Sequence, residues 1–207
     1  MAKNKDKTPL DETADALLDA DEAVAEAVEP YSDASPVEAV GWLSEIGDQP
    51  QMRILCGAVI AAGLVGGSKR LTRAGLRMIA AHTLATEAKD VIKKRVDRKR
   101  PRSRDGKDGH KPRAGKSTSK EVTSFPSGHS AGAAAVASAY AREFPEHRAA
   151  AVAGAGAIAL AQIPRCAHYP TDVGVGLALG LVADALLDPV LDPLFEALQL
   201  SGDELDE

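Results

Sequence analysis

Apolar positions are sparse at both ends of the chain and dense in between, where they recur at helical spacing with no strand-type alternation of useful length. Residues 1 to about 35 are acidic and Ala-rich, with too few apolar side chains to offset the entropy of ordering, and read as a disordered tail holding one weak helix. "SPVEAVGWLSEIG" then offers Ser and Pro ahead of helically spaced apolar residues. It predicts a short amphipathic helix lying against the domain or at a membrane interface. The uncharged run 54–67 is shorter than the ~20 residues of a comfortable membrane span, so buried helix and transmembrane helix both stay open. A helix charged at both ends follows over 72–96, and residues 97–123, poor in apolar residues, predict a long solvated loop. Two Ala-rich helices over 130–144 and 148–163, and a third from Pro170 to about Leu187, complete the pattern. Gly176 and Gly180 have the G-x-x-x-G spacing that lets helix backbones touch. The expectation is an all-α fold, a helical bundle of five to six helices with a long basic loop. A helical domain over 36–198 would lie between the 1–35 tail and an acidic tail over 199–207.

Composition sharpens this picture. Aromatic residues are 3% of the chain against 44% hydrophobic, so Ala and Gly carry the apolar load and closely approaching helices are favoured. The net charge of −5 conceals a division: residues 1–50 hold 3 basic and 13 acidic residues, whereas 68–120 hold 18 basic and 5 acidic. An anionic partner is expected at the middle of the chain. Cys56 and Cys166 lack zinc-type spacing and read as small, buried, reduced residues. The N-terminus lacks the apolar stretch of a cleavable signal peptide.

"GHKPRAGKS" resembles a phosphate-binding P-loop, but it has five residues between its glycines where four are needed and no strand before it. Three other clusters form a better candidate. Lys93 and Arg100, with six residues between them and Pro101 following, could clamp phosphate oxygens, the arginine through a bidentate fork. In "PSGH", the Ser127 hydroxyl and the Gly128 amide stand at a helix start, whose positive end suits an anion, and His129 can protonate a leaving alkoxide. His168 with Asp172 four residues on has the makings of an oriented nucleophile. The implied scheme is a phosphohistidine at His168, later hydrolysed, with no metal.

In this order and spacing the clusters resemble the type 2 phosphatidic acid phosphatase superfamily, which also includes bacterial acid phosphatases and vanadium haloperoxidases. The resemblance runs from about Lys93 to Asp172: K-x6-R-P, P-S-G-H, and the H-x3-D end of a third motif usually written S-R-x5-H-x3-D. The Ser-Arg pair of that motif falls on Ala161 and Gln162, which replaces a phosphate-binding arginine by a neutral amide; Arg165 stands nearby at a different spacing. The resemblance implies an all-helical fold and metal-free hydrolysis of phosphate esters, with His168, His129 and Asp172 as catalytic residues. Lys93, Arg100, Ser127 and Gly128 would bind phosphate, with Gln162 and Arg165 as further candidates. No cofactor is implied, and vanadate would act as a phosphate mimic. Alternatives are a soluble acid phosphatase, a haloperoxidase that would take vanadate as cofactor, and an anion-binding relative weakened by the loss of the arginine.

The Ala- and Gly-rich helices lack the polar outer faces of a soluble bundle, so the expected setting is the inner cell membrane, with several spans. The expected partner is a phosphorylated lipid and not nucleic acid, and self-association is left open. Excess positive charge puts the 93–120 loop in the cytoplasm, whereas lipid phosphatases of the family place these motifs on the outer face, so the orientation is open.

Overall fold

The computed structural model describes residues 8–104 and 110–200, and within them the regular structure is helical except for one short ladder and one isolated bridge between Arg98 and Thr123. The elements are α1 (Pro9–Val28), α2 (Ser35–Ser44), α3 (Gln49–Gly66), α4 (Lys69–Lys93), α5 (Gly128–Glu143), α6 (Arg148–Leu160), α7 (Pro170–Ala185) and α8 (Asp188–Ala197). The six expected helices correspond to α2 through α7. Strands β1 (Val96–Asp97) and β2 (Arg113–Ala114) pair antiparallel and pin the basic loop to the end of α4.

The N-terminal tail is a correction. From residue 9 it is a 20-residue helix, started by a capping box in which Thr8 Oγ1 accepts from the Asp11 amide and the Asp11 carboxylate accepts from the Thr8 amide. Ordering comes from outside the helix: Glu29 pairs with Arg104 at 2.6 Å, Glu22 Oε2 lies 3.5 Å from His110 Nδ1, and buried Asp21 pairs with buried Arg98 at 2.7 Å. The acidic head is thus docked on the basic loop, a long-range pairing that local hydrophobic counting does not register. Residues 1–7 and 201–207, the ends of the two expected tails, lie outside the described residues.

α5 is the central helix and packs against α4, α6 and α7, with α3 packed on α4. Its inward residues are almost all alanine: Ala131, Ala133, Ala135 and Ala139 join Met52, Cys56, Met78 and Ala81 in the core. Small side chains let the backbones close up. A methyl group at Gly176 would lie 2.6 Å from the Ser127 carbonyl oxygen, and one at Gly180 would lie 2.3 Å from that of Ala131, so glycine is required at both places. This is the G-x-x-x-G spacing put to use between α7 and α5. Cys56 and Cys166 are free, buried thiols.

Candidate active site

The site forms where the starts of α5 and α7 meet the end of α4. Ser127 caps α5, its Oγ accepting from the Ser130 amide at 3.3 Å and from the Ser130 hydroxyl at 2.9 Å. Its backbone N–H donates to the Asp172 carbonyl at 3.0 Å, which fixes the two helix starts side by side. A fully buried hydroxyl accepting twice retains only its own proton for an anion. Gly128 is next to α4: a Cβ there would lie 3.2 Å from Lys89 Cδ. Lys89, one turn before Lys93, is therefore part of the basic wall and was missed in the sequence reading. Its i−4 spacing from Lys93 was the available signal.

His168 is delivered by the turn between α6 and α7. Cys166 adopts φ 50°, the left-handed region that a non-glycine residue rarely enters, and the Gln162 carbonyl accepts from the amides of Ala167 and His168. The imidazole is buried, with Nδ1 3.6 Å from Asp172 Oδ2 and 3.5 Å from Ser124 Oγ. Its Nε2 lies 3.3 Å from Arg100 Nη1. Because a guanidinium can only donate, that nitrogen is the acceptor and the ring proton belongs on Nδ1, facing the carboxylate. Burial, reinforced by Arg100 and Lys93, pushes the His168 pKa down to about 4 against the pull of Asp172, so the ring is neutral near pH 7.

Asp172 is held from several directions. Oδ2 accepts from the Ser124 hydroxyl at 2.5 Å and the Tyr169 amide at 3.0 Å, and Oδ1 accepts from Arg98 Nη1 at 2.5 Å. Arg98, within the stretch taken as solvated loop, and Ser124, just after it, are buried members of the site that the sequence reading passed over.

The cations stand on the opposite side of His168. Arg100 is anchored by donating from Nε to the Lys120 carbonyl at 2.7 Å and from Nη1 to the Ala167 carbonyl at 2.9 Å. Lys93 donates to the Thr123 carbonyl. Burial, with Arg100 and Lys89 adding repulsion, brings the Lys93 pKa down to about 7.

His129 sits at the far rim, its Nε2 2.9 Å from Asp48 Oδ1 and its ring covered by Gly47, where a Cβ would lie 3.1 Å from the imidazole. Its pKa is lowered by burial, partly opposed by Asp48 and reinforced by Arg165 and Arg100. Asp48, in the short turn between α2 and α3, carried no motif that would have singled it out.

Gln162 does not face the anion position as the third-motif arginine was expected to. It is buried and donates from Nε2 to Ser44 Oγ at 3.2 Å and to the Ile158 carbonyl at 3.1 Å, which uses both amide hydrogens. Arg165 leans the same way, donating from Nη1 to Ser44 Oγ at 2.8 Å, yet its charge still reaches His129 and Arg100. The three sequence clusters are therefore brought together, with Gln162 as support and Arg165 at the edge. The described part of the P-loop-like segment, 110–117, contributes β2 and the buried His110 and no phosphate cradle.

A family model for the PAP2 superfamily matches residues 52–188, more than half of the chain and all three clusters. The chain belongs to the PAP2 superfamily. Among curated proteins it is similar to a lipid A 1-phosphatase of Rhizobium etli, 46% identical over 57 residues, which is 28% of this chain and 25% of that protein. It is equally similar to a lipid A 1-phosphatase of Rhizobium johnstonii, over 28% of this chain and 23% of that protein. The match thus spans about a quarter of these relatives' length. No solved structure matches at a comparable level. α1 and the turn carrying Asp48 lie outside the matched residues 52–188 and still reach the site.

Proposed function

We propose that this PAP2 protein is a phosphatase that releases phosphate from a lipid phosphate or diphosphate through a phosphohistidine at His168. The observation that carries the reading is the Nε2 of a buried, neutral histidine facing Arg100 while its Nδ1 is turned to a fixed carboxylate. The names of the relatives favour a lipid phosphate as substrate.

In this mechanism the phosphoryl group enters among Arg100, Lys93, Lys89 and the Gly128 amide, which oppose the charge on its oxygens. His168 Nε2 attacks phosphorus, forming an N–P bond as the ester P–O bond breaks. Asp172 stabilises the charge that develops on the ring, and His129, protonated beside Asp48, gives its proton to the departing oxygen. A water then attacks the phosphohistidine. His129 takes the water's proton, the N–P bond breaks, and inorganic phosphate leaves. The residues on this path need no metal.

The same reading puts the protein in a membrane, with several spans. The helical stretch Pro170–Ala197 is long and apolar enough to cross one, and only 28% of its most apolar window is buried within the molecule. On α3 and α6, Ile54, Leu64, Val65, Val152 and Leu160 also point outward. Charged clusters occupy the two ends of the bundle: the site at one, and Arg77 with Glu143 and Asp188 at the other.

The test is phosphate release from a panel of lipid phosphates, lipid diphosphates and soluble esters, by protein extracted from membranes with detergent. The expected result is turnover of a lipid member and none with His168→Ala. Equal turnover by the variant removes the mechanism. Recovery of active protein in the aqueous fraction without detergent removes the membrane placement.

A further inference from the structure

α1 buries only Asp21 and Ala25, while its larger apolar residues Leu10 and Leu17 stay 81% and 54% exposed. A helix held by hydrophobic packing would show the reverse pattern. A carboxylate taken fully out of water costs several kcal/mol unless paired and hydrogen-bonded, and here the only buried charge on the helix is aimed at the site. Asp21 Oδ2 accepts from Arg98 Nη2 at 2.7 Å and from the Thr171 hydroxyl, and Oδ1 accepts from the Thr171 amide at 3.0 Å.

Arg98 lies between two carboxylates. Its Nη2 goes to Asp21, its Nη1 to Asp172 at 2.5 Å and to Thr171 Oγ1 at 2.8 Å, and its Nε to the His110 carbonyl at 2.7 Å. The guanidinium also lies 4.1 Å from the centre of the Tyr169 ring. A planar fork bonded on every edge has one orientation, and that orientation decides where Asp172 Oδ1 is held and so how Oδ2 meets His168.

The charges matter as well as the geometry. With Asp21 present, Arg98 is shared between two carboxylates and Asp172 keeps more of its negative field for the imidazole. Without the Asp21 charge, Arg98 bears on Asp172 alone and that field weakens.

We propose that Asp21, on the N-terminal acidic helix outside the family core, is a positioning residue of the active site, acting on His168 through Arg98 and Asp172. This extends the reading of His168 as nucleophile. Asp21 touches no substrate, and α1 is by this inference an internal ligand of the basic loop that completes the site when docked.

The experiment uses the full chain with Asp21→Asn, which keeps the side chain's shape and removes its charge. Two readouts are taken: steady-state kinetics on the panel substrate that the wild type turns over, and the side-chain 15N signals of His168. The expected result is a kcat lowered about tenfold, as for carboxylates that orient a functional histidine through an intervening hydrogen bond, with KM within about twofold. The His168 signals should shift, and Asp21→Glu should recover part of kcat. A folded Asp21→Asn protein with wild-type kcat and unmoved His168 signals overturns the proposal. If Asp21→Asn does not fold, Thr171→Val, which deletes one hydroxyl between Asp21 and Arg98, takes its place under the same criteria. The NMR arm needs no turnover, so failure of the phosphatase reading, shown by an active His168→Ala, is distinguishable from failure of this one.

Discussion

His168 and Lys93 are both buried near the charge of Arg100, and each loses affinity for its proton, chiefly through burial and in part through that guanidinium. The consequences for a phosphatase differ. His168 must be neutral to attack, and its pKa of about 4 leaves it nucleophilic across the neutral range. Lys93 must be charged to hold phosphate, and with a pKa of about 7 it loses that charge as pH rises through neutrality. His129, which must carry a proton to the leaving group, is also shifted down by burial. Rising pH therefore removes two needed protons, whereas falling pH adds an unwanted one only near pH 4. The free enzyme's kcat/KM is accordingly expected to peak on the acid side of neutrality, between about pH 4 and about pH 7. A pH–rate profile on the panel substrate checks this, and a kcat/KM that climbs steadily above pH 7 contradicts the assigned roles. Gln162 belongs at this scale too. Its motif position suggested a phosphate ligand, but the side chain ties Ser44 to the end of α6, so the proposed mechanism assigns the anion to Lys89, Lys93 and Arg100, with Arg165 at a distance.

Among elements, the contact between α5 and α7 governs the site, because it sets Ser127, Gly128 and His129 against Asp172. Gly176→Leu would drive a side chain into the Ser127 carbonyl and Ser130. The expected cost is about 1–3 kcal/mol of stability, seen as a lower thermal unfolding midpoint, together with a loss of kcat in the fraction that stays folded. An unchanged midpoint and kcat would show that the close approach is not needed. These helices were legible from sequence because each carries its own start signal and apolar face: Ser127 before α5, Pro170 at α7, and the glycine pair between them. His168, Asp172, Lys93 and Arg100 were legible because their spacing is local and their chemistry distinctive. α1 was legible only as one weak helix in a disordered tail, since what orders it is an ion pair with Arg98, 77 residues away, and a residue-by-residue count of apolar content cannot see such a partner. Asp48 and Arg98 were hidden for the same reason, each being an ordinary charged residue in a polar stretch until the fold brings it to a histidine or a carboxylate.

For the whole molecule, the division into an acidic head and a basic middle takes on a structural meaning. The basic middle was expected to meet an anionic partner from outside, and part of that demand is met from within by Asp21 and Glu22 on α1 and Glu29 just after it. The cations facing His168 are Arg100 and Lys93, with Lys89, paired to Asp90, beside Gly128. The proposed reaction thus needs the end of α4, the basic loop, the starts of α5 and α7, and the N-terminal helix assembled at one end of the bundle, with apolar helix faces below them. All of this converges on one chemical event, transfer of phosphate to His168. Rapid acid-free quenching of the detergent-extracted protein with a phosphate-labelled lipid substrate, followed by peptide mapping, observes that event. The mechanism predicts alkali-stable, acid-labile label on the peptide containing His168 and none in His168→Ala. Turnover by the wild type with no label at any time point, or with label on another residue, would contradict it.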